Sequence, residues 1–270
     1  MKKIKLKKIL ILVLWITVAS GIIGLLSFVS VEGKDVKGKS INVIVTNESE
    51  NSFVNETDIV EFLNQRNDSL VNQKMKDMDV NGIEKSLNAH PAISNADVSV
   101  DVNGNAEIKI TQRKPVVRIM NYFGESYYID DEAGLMPISE NYTARVPVAN
   151  GLILEKYNMF YNYGIPRIEK DSLMKQLSVL DDIYAVSKYI SEDSLLTSLI
   201  QQLYINNDKE IELYPAVGGH KIIFGKGDDI EEKFEKLKVF YREGLNSIDS
   251  WNKYSSINLK YKSQVVCIKK

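Results

Sequence analysis

Few residues in this chain belong to the types that carry most protein chemistry. There are two histidines, His90 and His220, and one cysteine, Cys267. His90 precedes Pro91 at what reads as a helix end, where a cation would complement the helix dipole; His220 follows Gly218-Gly219 in a turn. Cys267 is flanked by Val265, Val266 and Ile268, an apolar strand context that raises a thiol pKa and disfavours a nucleophile. Asp130-Asp131-Glu132 has charge for calcium but not the spacing of an EF-hand, and Gly134 marks a solvated turn. Gly225-Lys226-Gly227 lacks the frame of a phosphate loop, and Asp228 beside it would repel a phosphate. No carboxylate pair stands out for glycoside hydrolysis. From these residues no catalytic residue, no metal, no cofactor and no small-molecule substrate is expected.

The elements that would position such a protein begin with its first thirty residues. Ile9 to Val31 carries no charge, and as a helix its 23 residues would cover roughly 34 Å at about 1.5 Å each, against a hydrocarbon core of about 30 Å. Lys2, Lys3, Lys5, Lys7 and Lys8 precede the run, which places residues 1–8 on the cytoplasmic side and the bulk outside. A cleaved signal peptide, with Val18-Ala19-Ser20 as its site, is the rival, but its apolar stretch would run only about 7–15 residues. The remaining chain holds 29 basic and 36 acidic residues, and this acidic balance argues against nucleic acid as a partner. With a single cysteine no intramolecular disulfide can form, so the exported domains must hold by core packing.

Residues 32–39 read as a charged, glycine-bearing linker. Ile41–Thr46 is β-branched and strand-like. Asn55, Asp58, Ile59, Phe62 and Leu63 form a capped helix start with one apolar face, and Asn81, Ile83, Glu84 and Leu87 form a second, ended by Pro91. Strands are expected at about Ile93–Val102 and Ala106–Ile119, joined at Asn103-Gly104-Asn105. The order over 40–118 is β-α-α-β-β. Beyond it, over 119–270, Ser126–Ile129, Gln201–Ile205, Glu210–Tyr214, Lys221–Phe224 and Ile257–Ile268 read as strands. Helices are expected at Ser172–Tyr189, at Glu192–Leu199, and from Asp228 or Asp229 to Gly244.

Several short motifs carry a resemblance. Ala89-His90-Pro91-Ala92-Ile93-Ser94-Asn95-Ala96-Asp97-Val98 is similar to a stretch in which proline ends the second helix of a POTRA domain. Gln112-Arg113-Lys114-Pro115-Val116-Val117 follows, then Tyr128-Ile129-Asp130-Asp131-Glu132-Ala133-Gly134, Arg145-Val146-Pro147-Val148-Ala149-Asn150-Gly151, Gly225-Lys226-Gly227-Asp228 and Ile257-Asn258-Leu259-Lys260-Tyr261. Taken in order, behind an N-terminal anchor, they resemble the FtsQ/DivIB family. Ala92 stands where that family's proline motif has tryptophan, which implies a divergent branch. The resemblance implies an α+β fold: a transmembrane helix (9–31), a POTRA domain (40–118), and a mixed α/β "β domain" (119–270) with a helical insert near 152–200 and an edge strand at its end.

The same resemblance implies a non-enzymatic divisome scaffold at the bacterial inner membrane, binding FtsB/FtsL-like bitopic partners at the septum. Its partner-binding residues would be Lys226, Tyr261, Ser263, Val265 and Cys267. On a single final strand, Ile257, Leu259, Tyr261, Val265 and Cys267 would share one face, with Val266 and Ile268 breaking the alternation. The competing readings are an anchored POTRA protein serving outer-membrane assembly and an anchored cell-wall enzyme. The first normally carries several POTRA repeats or a barrel, and the second needs a nucleophile–base pair or a zinc site.

Overall fold

The computed structural model describes residues 3–32, 37–46, 52–66, 73–74, 77–140, 142–161, 164–245 and 251–270. Lys2 and residues 33–36 of the expected linker lie outside them, as do the side chains of 3–9 and 25–32. Helix α1 (Lys3–Glu32) is continuous over 30 residues. Among the described residues no helix is long and apolar enough to cross a membrane.

The chain divides into two compact units, with the main boundary between Gln112 and Arg113. In the first, β1 (Ser40–Thr46), α2 (Glu56–Gln65), α3 (Val80–Asn88), β2 (Ile93–Val100) and β3 (Asn105–Gln112) follow in sequence. The sheet order is β1-β3-β2, with β1 parallel and β2 antiparallel to β3. Asn55 opens α2 through a reciprocal capping box: its Oδ1 accepts from the Asp58 N–H at 3.0 Å, and Asp58 Oδ2 accepts from the Asn55 N–H at 2.9 Å. The N-cap of α3 is Asp79, not Asn81; its Oδ1 accepts from the Gly82 N–H. Ile59, Leu63, Ile83 and Leu87 are buried with Ala96, Val98, Ile108 and Ile110. Asn88 fastens the end of α3 to β2, accepting from the Ala96 N–H at 2.8 Å and donating to the Ala96 carbonyl at 3.2 Å. His90 stacks edge-on against Phe62, and burial lowers its pKa against the opposing pull of Asp58, so the site disfavours the cation expected there.

The expected strand Ala106–Ile119 is two strands in two sheets. Gln112 ends β3 with its side chain buried, its Oε1 accepting from the Val54 N–H, and β4 (Pro115–Met120) starts the other unit after Arg113-Lys114. That unit is built on nine strands in the order β12-β11-β10-β9-β8-β7-β4-β5-β6. They are β4, β5 (Ser126–Asp130), β6 (Leu135–Pro137), β7 (Val148–Gly151), β8 (Ile200–Ile205), β9 (Ile211–Pro215), β10 (Lys221–Gly225), β11 (Tyr254–Asn258) and β12 (Val266–Lys269).

Three neighbouring pairs are parallel: β4 with β7, β7 with β8, and β10 with β11. Parallel neighbours need a crossover, usually helical. The helices α4 (Tyr157–Phe160), α5 (Ile165–Lys170), α6 (Ser172–Leu177), α7 (Leu180–Glu192) and α8 (Ser194–Leu199) supply it between β7 and β8. The stretch near 152–200 thus forms the crossover between these two parallel strands. Likewise α9 (Ile230–Val239) and the π-helical Phe240–Leu245 lie between β10 and β11. Gly151, with φ +100°, lets β7 approach β8, because a Cβ there would run into the Ile205 backbone. Ile183, Val186 and Ile190 of α7 join Phe234 and Leu237 of α9 and the strand residues in one core. The buried Glu155 carboxylate holds the start of α7, accepting from Ser178 Oγ at 2.7 Å and the Val179 N–H at 2.8 Å.

Candidate partner-docking edge

Strand β12 is the last in the sheet, with β11 on one side and no strand on the other among the described residues. Its register pairs Asn258 with Val266, Ile257 with Cys267 and Ser256 with Ile268. Alternation sends Cys267 inward, half-buried against the core, where burial raises its thiol pKa. It sends Val266 and Ile268 outward, 41% and 60% exposed. An edge strand presents unpaired backbone donors and acceptors, and β12 adds two apolar side chains beside them.

The single final strand expected over Ile257–Ile268 is instead a hairpin. The alternation is broken by a turn over 259–265, which shifts the second strand relative to the first. Asn258 Oδ1 accepts from the Lys260 N–H at 3.0 Å, and Ser263 takes the left-handed conformation, φ 57°. No glycine or proline marks the spot, because tertiary contacts hold it. From α9, Lys236 Nζ donates to the Leu259 and Tyr261 carbonyls at 3.2 and 2.7 Å. Glu232 Oε1 accepts from the Ser263 N–H at 3.4 Å. The Ser263 amide and Lys236 favour the charged Glu232, so its pKa lies below the ordinary value. Lys260 Nζ pairs with Glu210 at 2.6 Å. Tyr261 stands 49% exposed on this turn.

Ser263 and Val265 line a groove of about 420 Å³ with Lys236, Val239 and Phe240. Lys226 lines a different cavity, with residues of α6, α7 and the β8–β9 turn. The five expected partner-binding residues thus divide: Tyr261, Ser263, Val265 and Cys267 belong to the hairpin, of which Ser263 and Val265 line the groove, and Lys226 lines the other cavity. Val266 and Ile268 complete the exposed face. Their signal in the sequence was the break in alternation.

Residues 114–268 match the family model described as FtsQ/DivIB, C-terminal related, and residues 36–111 match that of a POTRA-like domain. The first match covers more than half the chain. The chain belongs to the FtsQ/DivIB family. Membership places it among cell-division proteins. No curated protein matches it.

The segments that resemble FtsQ/DivIB motifs have structural work here. Asp130 is buried, not part of a solvated turn: its Oδ1 accepts from the Gly134 and Glu132 N–H groups, and its Oδ2 pairs with Arg113 at 2.6 Å. In Gly225–Asp228, Gly225 has φ +86°, and Asp228 accepts from the buried Lys233, whose Nζ also donates to the Lys226 carbonyl. That bond holds the Asp228 pKa below the usual range. His220 is buried, not a turn residue in solvent; its Nε2 lies 2.7 Å from Tyr241 Oη, and burial lowers its pKa. These are fold devices, and among the described residues no group of three metal-binding side chains converges.

Proposed function

We propose that this FtsQ/DivIB-family protein is a non-enzymatic, single-pass scaffold of the bacterial division site. Residues 1–8 lie in the cytoplasm, 9–31 cross the inner membrane, and the two folded units stand outside, where β12 accepts a strand from an FtsB/FtsL-like bitopic partner. The observation that carries the docking mode is the open edge of β12 with Val266 and Ile268 turned outward. Strand addition takes affinity from the backbone and specificity from alternate side chains. Short length and the charged Lys269 and Lys270 keep the edge from pairing indiscriminately.

The anchor is supported by α1 itself. Its large side chains from Leu10 to Ile23 are apolar and exposed in the isolated chain on every helical face, as in a helix that needs an apolar surrounding. Thr17 and Ser20 turn their hydroxyls onto the Leu14 and Thr17 carbonyls, so neither needs water.

The test is co-purification of the full chain with its FtsB-like partner from detergent-solubilised membranes. Val266→Arg and Ile268→Glu should each abolish capture, while Leu173→Glu, at an exposed site elsewhere, should leave it intact. Normal capture by folded Val266→Arg and Ile268→Glu proteins would refute edge pairing.

A further inference from the structure

A cavity of about 640 Å³ opens at the carboxyl ends of β8 and β10, beside the start of α7. Both strands run antiparallel to β9, so Asp208 and Lys209 after β8 and Lys226 after β10 emerge at the same edge of the sheet.

The walls carry both signs of charge. Lys175, Lys209 and Lys226 face Asp181, Asp182 and Asp208 around one space, and among the described residues no ion pair within 4.0 Å joins the two sets. Lys209 spends its ammonium on the Leu177 carbonyl at 2.7 Å. Asp181 is 7% exposed, and its Oδ1 has no hydrogen-bond partner. Acids in the first turn suit the dipole of α7, but that leaves this oxygen unpaired, a costly state for a buried carboxylate. Burial, reinforced by Asp182, disfavours the charged form of Asp181, and burial does the same to Asp182. Asp182 is pinned beside the β10–α9 turn, since a Cβ on Gly227 would meet its Oδ1 at 2.6 Å.

We propose that this cavity binds a zwitterion: an amino acid or short peptide with a free ammonium and a free carboxylate. The ammonium supplies the donor that Asp181 lacks and sits between Asp181 and Asp182; the carboxylate meets Lys175 and Lys226. A simple anion would face the two aspartates, and a simple cation would leave the lysines unmatched. The volume is that of an ordinary small-ligand pocket and admits one to a few residues.

The experiment titrates the full-length protein in detergent micelles with glycine, diglycine and triglycine, reading the amide NMR shifts of Asp181, Asp182 and Lys226. At least one ligand should saturate these shifts in the millimolar range or below, and its N-acetylated and C-amidated forms should each bind about tenfold more weakly or worse. Asp181→Asn should weaken binding to a similar degree. Lys175→Gln, at an exposed position outside the docking edge, should do so while leaving partner capture unchanged. Absence of saturation by all three ligands up to about 50 mM, or equal binding of the blocked forms, overturns the proposal.

Discussion

At the scale of single residues, the decisive groups are polar ones with distant partners. Asp130 looks local, one of three acids before a glycine, yet its second oxygen is committed to Arg113, seventeen positions earlier. Nothing in a local pattern shows such a pair, whereas the turn itself was legible from Gly134. Replacing Asp130 by Ala should destabilise the protein by about 3 kcal/mol in denaturant unfolding, the lower end for a broken buried pair, because Arg113 keeps some solvent. His220 was equally hidden, since Gly218-Gly219 suggests a surface turn while Tyr241 arrives from another element. Its folded pKa lies below the unfolded value of about 6.5, so the unfolded chain binds more protons in acid. Its contribution is therefore intact above about pH 6.5 and declines as pH falls below it, by at most about 1.4 kcal/mol per unit. Trp251 packs against Tyr241 at 5.1 Å and reports on this corner. In a Trp15→Phe background, unfolding followed by Trp251 fluorescence should lose stability from pH 7 to about pH 5 more steeply with His220 than with His220→Gln.

At the scale of elements, periodicity was a sound guide wherever neighbours in sequence set the structure. Ile59 and Leu63, then Ile83 and Leu87, each share a helix face, and all four are buried. Leu87→Ala should cost about 2–5 kcal/mol, read by thermal unfolding, through lost burial and a cavity. An unchanged transition would remove Leu87 from the core. Legibility ended where tertiary contacts set the structure. The three-residue β6 and the four-residue β7 are too short to show a pattern, and β7 is a strand because β4 and β8 flank it. The turn at 259–265 is held by Lys236, Glu232 and Lys260, so its composition resembles a strand. Here Ser263 is informative. Proline fixes φ near −65°, incompatible with the left-handed backbone, so Ser263→Pro would break the turn. Glycine suits that backbone, and Ser263→Gly should leave partner capture intact and raise stability by up to about 1 kcal/mol.

At the scale of the molecule, the proposed anchor implies a direction of crossing, and the charges flanking the uncharged run set the expectation for it. Five lysines within eight residues precede the uncharged run, whereas Glu32, Lys34, Asp35, Lys37 and Lys39 mix both signs after it. Basic flanks are retained on the cytoplasmic side, and acids contribute little, so the comparison is five lysines against three. That difference favours an N-terminus inside, and it is modest enough to be reversed. A reporter active only outside the cytoplasm, fused after Lys270, should therefore be active in the native chain. Changing Lys2, Lys3, Lys5, Lys7 and Lys8 to Gln removes the retained charge without adding acid. It should divide the population between orientations and lower reporter activity in proportion, and adding lysines after residue 32 should lower it further. The helix is untouched by either change, so membrane retention should stay constant while orientation alone responds. A native fusion that is inactive outside, or a Gln variant that no longer partitions with membranes, would contradict the proposed topology: the first its direction, the second the sufficiency of the apolar run as an anchor.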